Sequence, residues 1–293
     1  LEIVLREGVE LGEVNIVTRK MGTMKLRSSV MNEDMISSAE LTRAACCNLG
    51  ESFVTNPSVD VSYSDAATGA KQIKLLGLSG TYVQMMTENI PNFRGAAAPY
   101  GLGYVPGPWM QTIQVSKGSS SVKNGYESIT GQINVEFKKP QLPEADWVSA
   151  NLFASSTNRY EANADATVKL SKRWSTSLLA HYENETKSHD SNDDGFVDIP
   201  RVEQYNFWNR WAYMGDHYVF QAGIKALHET RNSGQTAHGQ TATHDLYEIG
   251  IQTNRYEAFT KNAYIFDKEK NTNLALILQG TFHNQDAVYG HKL

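Results

Sequence analysis

From Asp146 onward, apolar and polar residues alternate one by one over long stretches. Between Tyr160 and Ser171, the residues Tyr160, Ala162, Ala164, Ala166, Val168 and Leu170 interleave without a break with Glu161, Asn163, Asp165, Thr167, Lys169 and Ser171. Successive side chains of a strand point to opposite faces, so this period of two predicts a strand with one apolar and one wet face. The same alternation recurs from Val148 to Ser155, Trp174 to Glu185 (with Leu179 as an exception), Tyr205 to Met214, Tyr218 to Glu229, Leu246 to Phe266 and Leu274 to Gln285. Seven strands in succession are predicted.

The connections differ in length: Ser171 to Trp174 and Gly215 to His217 are tight, Asp267 to Asn273 is fairly short, and Lys187 to Val202 and Arg231 to Asp245 are long. Short turns at one end and long loops at the other are the pattern of an outer-membrane barrel. Trp147, Tyr160, Trp174, Tyr182, Tyr205, Trp211 and Tyr218 sit near strand ends, where a membrane interface favours an apolar ring with a polar edge. The alternative is a soluble β-sandwich, whose strands also alternate but average about five or six residues.

Residues up to about Pro143 follow a different grammar, mixing short strands, Gly-rich turns and one predicted helix. Lys138, Lys139, Pro140, Gln141, Leu142 and Pro143 form the expected connector, because two prolines flanking a short polar stretch cannot continue a strand ladder. Seven meandering strands cannot close around a domain of that size, which needs on the order of 22 strands. The chain is therefore expected to start inside a longer protein, with Leu1 to Leu5 reading as mid-strand, and to stop in an outer loop at Tyr289 to Leu293.

Composition narrows the classes. A net charge of -5 with no basic cluster argues against nucleic acid as a partner. The apolar run Leu274 to Leu278 is about a quarter of the roughly 20 residues that a spanning helix needs. A mean hydropathy of -0.44 does not exclude a β-barrel, whose strands are only half apolar. The two cysteines, Cys46 and Cys47, are adjacent, so an unstrained disulfide between them is not expected; they read as packed thiols rather than as a metal site, which would need a second ligand pair.

The segment Ile113 to Pro140, IQVSKGSSSVKNGYESITGQINVEFKKP, resembles the end of the plug of TonB-dependent outer-membrane receptors. Leu49 to Val61 resembles an upstream element of that plug, and Ile73 to Pro91 its strand, Gly-Leu turn, strand and Asn-x-Pro turn. One departure is Leu76-Gly77 where the family usually has Arg-Gly, with Arg94-Gly95 nearby in sequence. Glu13, Val14, Asn15, Ile16, Val17 and Thr18 resemble the TonB box, a short segment that adds as a strand to a periplasmic energy-coupling protein. Leu1 to Glu7 resembles the end of an accessory β domain found in Bacteroidota-like receptors.

The resemblance implies a mixed α/β plug domain followed by an antiparallel transmembrane β-barrel of about 22 strands in the whole fold. It divides the chain into the end of an accessory domain at 1–10, the TonB-box region and linker at 11–39, the plug at 40–143 and the first barrel strands at 144–293. It also implies a receptor in the outer membrane of a Gram-negative bacterium that imports a scarce nutrient such as a metal chelate (siderophore, haem, corrinoid or copper). Its expected partners are a TonB-type protein, the cargo and a surface lipoprotein. A surface binding receptor or adhesin on the same scaffold, without transport, is the competing expectation, with a soluble β-rich enzyme as a third.

Three candidate sites follow from the residues. Asp190, Asn192, Asp194 and Asp198, with Gly195 at the sixth position and the Phe196 carbonyl at the seventh, match a calcium loop. Arg201 stands where an EF-hand has its bidentate Glu, and a solvated acidic loop is the alternative. Cobalamin-type members of the resembled family carry calcium in the corresponding loop. His238 and His244 in the next long loop are candidate metal-chelate ligands, against a merely mobile polar loop. Met85, Met86, Phe93, Tyr100, Tyr104, Trp109 and Met110 are candidate cargo contacts on plug loops, against packing of the plug on the barrel wall. No catalytic constellation or nucleotide loop is present, and calcium is the one expected cofactor, with no organic cofactor. A non-enzyme is expected.

Overall fold

The computed structural model describes residues 24–25, 32–43, 47–54, 56–119, 126–140, 148–236, 246–267, 270 and 272–290. The candidate box at 13–18, Cys46, Trp147, His238 and His244 lie outside them.

The first part is a six-stranded mixed sheet with a separate hairpin. Its strands are β1 (Met24–Lys25), β2 (Asn32–Ser37), β3 (Val59–Asp65), β4 (Ala70–Leu75), β5 (Val83–Thr87), β6 (Ile90–Pro91), β7 (Met110–Lys117) and β8 (Gly131–Phe137), with one short helix α1 (Ser38–Arg43) after β2. The sheet order is β1-β2-β7-β8-β5-β6, and β3 pairs only with β4. β5 and β8 run parallel, while the other pairs are antiparallel. β8 is central and buried on both faces: Ile133, Val135 and Phe137 enter the apolar core, while Asn134 is satisfied by Gln114, Glu136 and the Asn89 amide.

Backbone conformation explains two of the sequence motifs. Leu76 and Gly77 both adopt positive φ, of 55° and 80°, and Leu75 and Leu78 exchange both backbone hydrogen bonds around them, as in a two-residue hairpin. At Gly131, which opens the Gly-Gln-Ile-Asn motif, a Cβ would collide with the Ser116 carbonyl and the Leu75 side chain. Only glycine lets β8 pass between β7 and the hairpin.

The second part is an antiparallel meander of seven strands: β9 (Val148–Ala154), β10 (Arg159–Lys169), β11 (Trp174–Glu185), β12 (Arg201–Met214), β13 (Tyr218–Gly234), β14 (Glu248–Asp267) and β15 (Thr272–Gly290). Each pairs only with its sequence neighbour, as an up-and-down barrel wall requires. The seven expected strands are present. β12 begins earlier and β13 and β15 run further than alternation alone indicates, because ladder pairing continues into polar stretches such as Thr230–Gln252 and Gln252–Asp286. The Ser155–Asn158 connection is also tight although it lies at the end carrying the long loops, closed by the Ser155–Arg159 and Asn158–Ser155 backbone bonds.

Burial along this wall is inverted relative to a soluble sheet. On β12, Gln204, Asn206 and Arg210 are buried while Tyr205, Phe207 and Trp211 are exposed. On β10, Glu161 and Asn163 are buried while Tyr160, Ala162 and Ala164 are exposed. Leu179, the exception in the alternation, joins Trp208 and Leu227 as an inward apolar residue packed in the plug core. Aromatic rings mark two levels on the outer face. Trp174, Tyr213, Tyr218 and Phe220 cluster at the short-turn end, and Tyr182, Tyr205 and His228 stack at the other. Trp174 and Tyr182 lie eight residues apart on β11, or roughly 26 Å along the strand, which suits a tilted strand crossing an apolar band about 25 Å tall.

Candidate functional site

The inner face of the wall closes on the plug through ionic and polar contacts in three layers. At the end carrying the long loops, Arg159 of β10 reaches three carboxylates: Glu51 of the plug at 2.9 Å, Glu161 at 2.7 Å and Glu183 at 2.9 Å. Glu51 is held in place because Asn48 caps the short 3-10 turn Leu49–Phe53: Asn48 Oδ1 accepts the Glu51 amide, and Glu51 Oε2 accepts the Cys47 amide. Burial alone raises the Glu51 carboxyl, but the Arg159 guanidinium more than offsets this and leaves it below its ordinary value. Burial and the nearby Glu161 carboxylate push the Cys47 thiol up, so it is a packed thiol and not a reactive one. Nearby, Arg231 donates to Glu229 and to the Thr68 carbonyl of the plug and stacks over the Tyr100 ring.

In the middle layer, the Tyr104 carbonyl accepts from Asn206 and Lys225 of the wall. Arg255 donates to Asn92 and Glu257, and Asn92 donates back to Glu257. In the lowest layer, the β5–β6 turn carries Glu88 and Asn89 at positive φ. Arg210 pairs with the Glu88 carboxylate and donates to the Lys138 carbonyl, while Lys261 donates to the Glu88 carbonyl at 2.7 Å. Wall cations thus bind plug carbonyls at Thr68, Glu88, Tyr104 and Lys138. Short polar contacts of this kind fix orientation, yet each is replaceable by water if the plug moves.

Above the upper layer lies a cavity of ≈ 200 Å³ lined by plug residues around Glu51, Lys71 and Tyr100 and by wall residues around Arg159, Glu185 and Arg231. The sequence pattern does not single out these charges. Their signal is weak but present: the inward positions of β10 to β14 hold Glu, Arg and Lys rather than small neutral residues.

The family model for the TonB-dependent receptor plug domain matches residues 25–132. The wall that follows continues directly from it with the inverted faces of a membrane barrel. Residues 25–132 thus match the plug domain of TonB-dependent receptors. Solved structures similar to this chain include the ferripyoverdine receptor of Pseudomonas aeruginosa, at 14% identity and a TM-score of 0.70 over 93% of this chain and 38% of that one. The alcaligin receptor of Bordetella pertussis gives 12% identity and a TM-score of 0.68 over 91% of this chain and 42% of that one. The ferric-catecholate import receptor of Escherichia coli gives 16% and 0.65 over 89% and 40%. At these identities the likeness is one of fold, and the chain spans about two fifths of the length of those receptors. A comparison with curated protein sequences gives no match.

Within this fold, the plug residues expected to meet cargo are buried or half-buried. Tyr104, Trp109 and Met86 are 0% exposed, and Phe93, Tyr100 and Met110 are also buried; Met85 packs at the edge of the same core. Trp109 stacks with Trp208 and His181 of the wall, and Phe93 with Tyr104. Trp109 and Tyr104 meet the wall, through Trp208 and His181 and through Asn206 and Lys225, whereas Met85, Met86 and Met110 lie in the plug strands β5 and β7. Arg94 does not replace the family arginine at the hairpin turn; it pairs with Glu127 at the plug surface.

The 190–198 loop is folded by its own side chains. Asp190 accepts the amides of Asp194 and Gly195, Asn192 accepts that of Asp194, and Asp194 accepts that of Phe196. Asp198 accepts the Ser191 amide, and Asp190 accepts the Thr236 hydroxyl from the neighbouring loop. Gly195 has a φ of 82°, which gives the bend that brings these groups round. Among the described residues, no group of three or more His, Cys, Asp and Glu converges to hold a metal ion.

Proposed function

We propose that the chain is the plug and part of the wall of a receptor that imports a scarce nutrient, of the metal-chelate class, into the periplasm. The observation that carries the reading is the interface: a folded plug gripped by wall cations on its carbonyls and carboxylates, beside one apolar patch where Leu179, Trp208 and Leu227 join its core. Such an interface holds a plug in one orientation and releases it when water replaces its polar contacts, which is what passage through the barrel requires. Since the sequence carries no nucleotide-binding motif, the work comes from a periplasmic partner acting on the segment Glu13 to Thr18. The similar solved receptors for ferripyoverdine, alcaligin and ferric catecholates favour an iron chelate as cargo.

Deletion of residues 13–18 is expected to abolish energised uptake while leaving cargo binding to whole cells intact. Uptake that survives the deletion supports the competing reading, a surface binding receptor without transport.

For the 190–198 loop we propose calcium as the ion it takes. The Asx turns already bend the loop into the order of a calcium motif, and an ion would offset the repulsion of four acidic residues within nine. Since the carboxylates do not converge as they stand, binding requires Asp194 and Asp198 to turn from backbone amides to the ion. Calorimetric titration with calcium is expected to give heat in the unmodified receptor and none after joint replacement Asp190→Ala and Asp194→Ala. Identical traces would make it a self-folded acidic loop.

A further inference from the structure

The cavity above the upper ionic layer contains two charges that its other charges do not match. Seven charged side chains line it: Glu51, Glu183, Glu185, Glu229, Lys71, Arg159 and Arg231. Five of them satisfy one another, with Arg159 on Glu51 and Glu183, and Arg231 on Glu229. The remaining two do not. Glu185 is only 7% exposed, yet no hydrogen bond or ion pair joins its carboxylate to a described residue. The Lys71 ammonium makes no ion pair among the described residues: it lies 5.5 Å from the centre of the Tyr63 ring and feels the Glu51 carboxylate only at longer range.

The Arg159 charge acts on the Glu185 carboxylate from a distance without pairing with it, and so offsets only part of the cost of its burial. Lys71 does not offset the rest, although both side chains line the same space. We propose that this cavity is a subsite for a zwitterionic group, one that presents an ammonium to Glu185 and a carboxylate to Lys71, as an amino-acid-like part of the cargo does. A purely cationic occupant leaves Lys71 unmatched and repelled, and a purely anionic one does the same to Glu185. A bare metal ion is disfavoured by Lys71 and by the lack of a converging set of three acidic or His ligands among the described residues. The location fits a first contact for cargo, since the cavity sits where the tight Ser155–Asn158 turn and the long 186–200 connection leave the wall.

The inference rests on the reading of the chain as a nutrient receptor, and the test keeps the two apart. The intact receptor, purified in detergent, is titrated by saturation-transfer NMR with glycine, β-alanine, γ-aminobutyrate and ε-aminocaproate. The matching alkylamines and alkanoates serve as single-charge controls. One zwitterion of the series is expected to bind at least about ten-fold more tightly than either control of the same length. E185Q is expected to reduce that zwitterion to the affinity of the alkanoate, and K71Q to that of the alkylamine. Both variants are expected to keep the protease resistance of the folded plug, because neither side chain makes an ion pair among the described residues. Equal binding of a zwitterion and one of its controls, or affinities unchanged by both substitutions, or no binding in the series, overturns the subsite. Energised uptake of native cargo, measured in cells with and without residues 13–18, reports on the transport reading independently of all these outcomes.

Discussion

The plug and the wall obey opposite burial rules within one chain. In the plug, Ile36, Leu49, Ile113, Ile133 and Val135 are buried and charge lies at the margins, as in any soluble domain. In the wall, Glu161, Asn206, Arg210 and Arg255 are buried while Leu152, Leu178, Phe207 and Ile224 face outward. On the proposed reading the difference lies in the solvent: hydrocarbon against the outer face leaves the wall no reason to hide its apolar residues, and the strand ladders satisfy its backbone. What needs internal partners is the polar face, and the plug supplies them. One region is held together by its core and the other by its ladder, and they meet through charge around an apolar patch at Trp109 and Trp208.

The strongest way to break this contrast is to remove a charge at its centre. Arg159→Leu leaves Glu161 and Glu183 buried without their cation and frees Glu51, at an expected cost of about 3–5 kcal/mol. The yield of assembled receptor and the protease resistance of the plug are expected to fall sharply; a wild-type profile would show that the layer is only decorative. Next comes charge on the outer face. Ala164→Arg and Leu178→Arg place an ion against lipid between the two aromatic levels, at roughly 2–4 kcal/mol. Thr167→Arg, on the inner face and only half buried, is expected to reduce assembly much less in the same heat-modifiability assay. Asn163→Arg is not an equivalent control, because Asn163 is 4% exposed and bonded to His181, which leaves no room for the longer side chain.

Acid sharpens the contrast further. The Glu51 carboxyl is held below its ordinary value, so the stability it contributes is present above the unfolded value near 4.5 and is lost as pH falls through its lower folded value. Plug loosening in unmodified receptor is therefore expected to begin only below about pH 4.5, and Glu51→Gln is expected to remove that part of the acid response. Hydrogen exchange of the Leu49–Phe53 turn reads both. The smallest effect is expected at the solvent-exposed Arg173–Asp216 pair, where Arg173→Ala should change stability by about 0–1 kcal/mol. A large loss there would mean that ion pairs matter equally wherever they lie.

Much of the wall was legible in the sequence because period-two alternation is a local signal: Tyr160 to Ser171 announces both a strand and its faces. Strand ends were less so, since Thr230 or Asn232 looks like loop until its partner across the ladder is known. The plug was legible through spaced motifs such as Gly131-Gln-Ile-Asn, whose glycine answers a close approach of β7 and Leu75. The interface was not. Tyr104 and Trp109 look like exposed recognition residues on a Gly-rich loop, and only the fold reveals that wall residues Trp208 and Lys225 cover them. Glu185 and Lys71 are more than 100 positions apart, and nothing local links them.

The central claim, that the apolar face of β9 to β15 meets lipid, is tested most directly by spin labels in native outer membrane. Labels at Leu178, Phe207 and Ile224, between the two aromatic levels, are expected to collide readily with dissolved oxygen and rarely with a water-soluble nickel chelate. A label at Asn232, on the same face of β13 but beyond the Tyr205–His228 level, should show the reverse. Free access of the nickel chelate to Leu178, Phe207 and Ile224 would mean that this face is wet and would contradict the account.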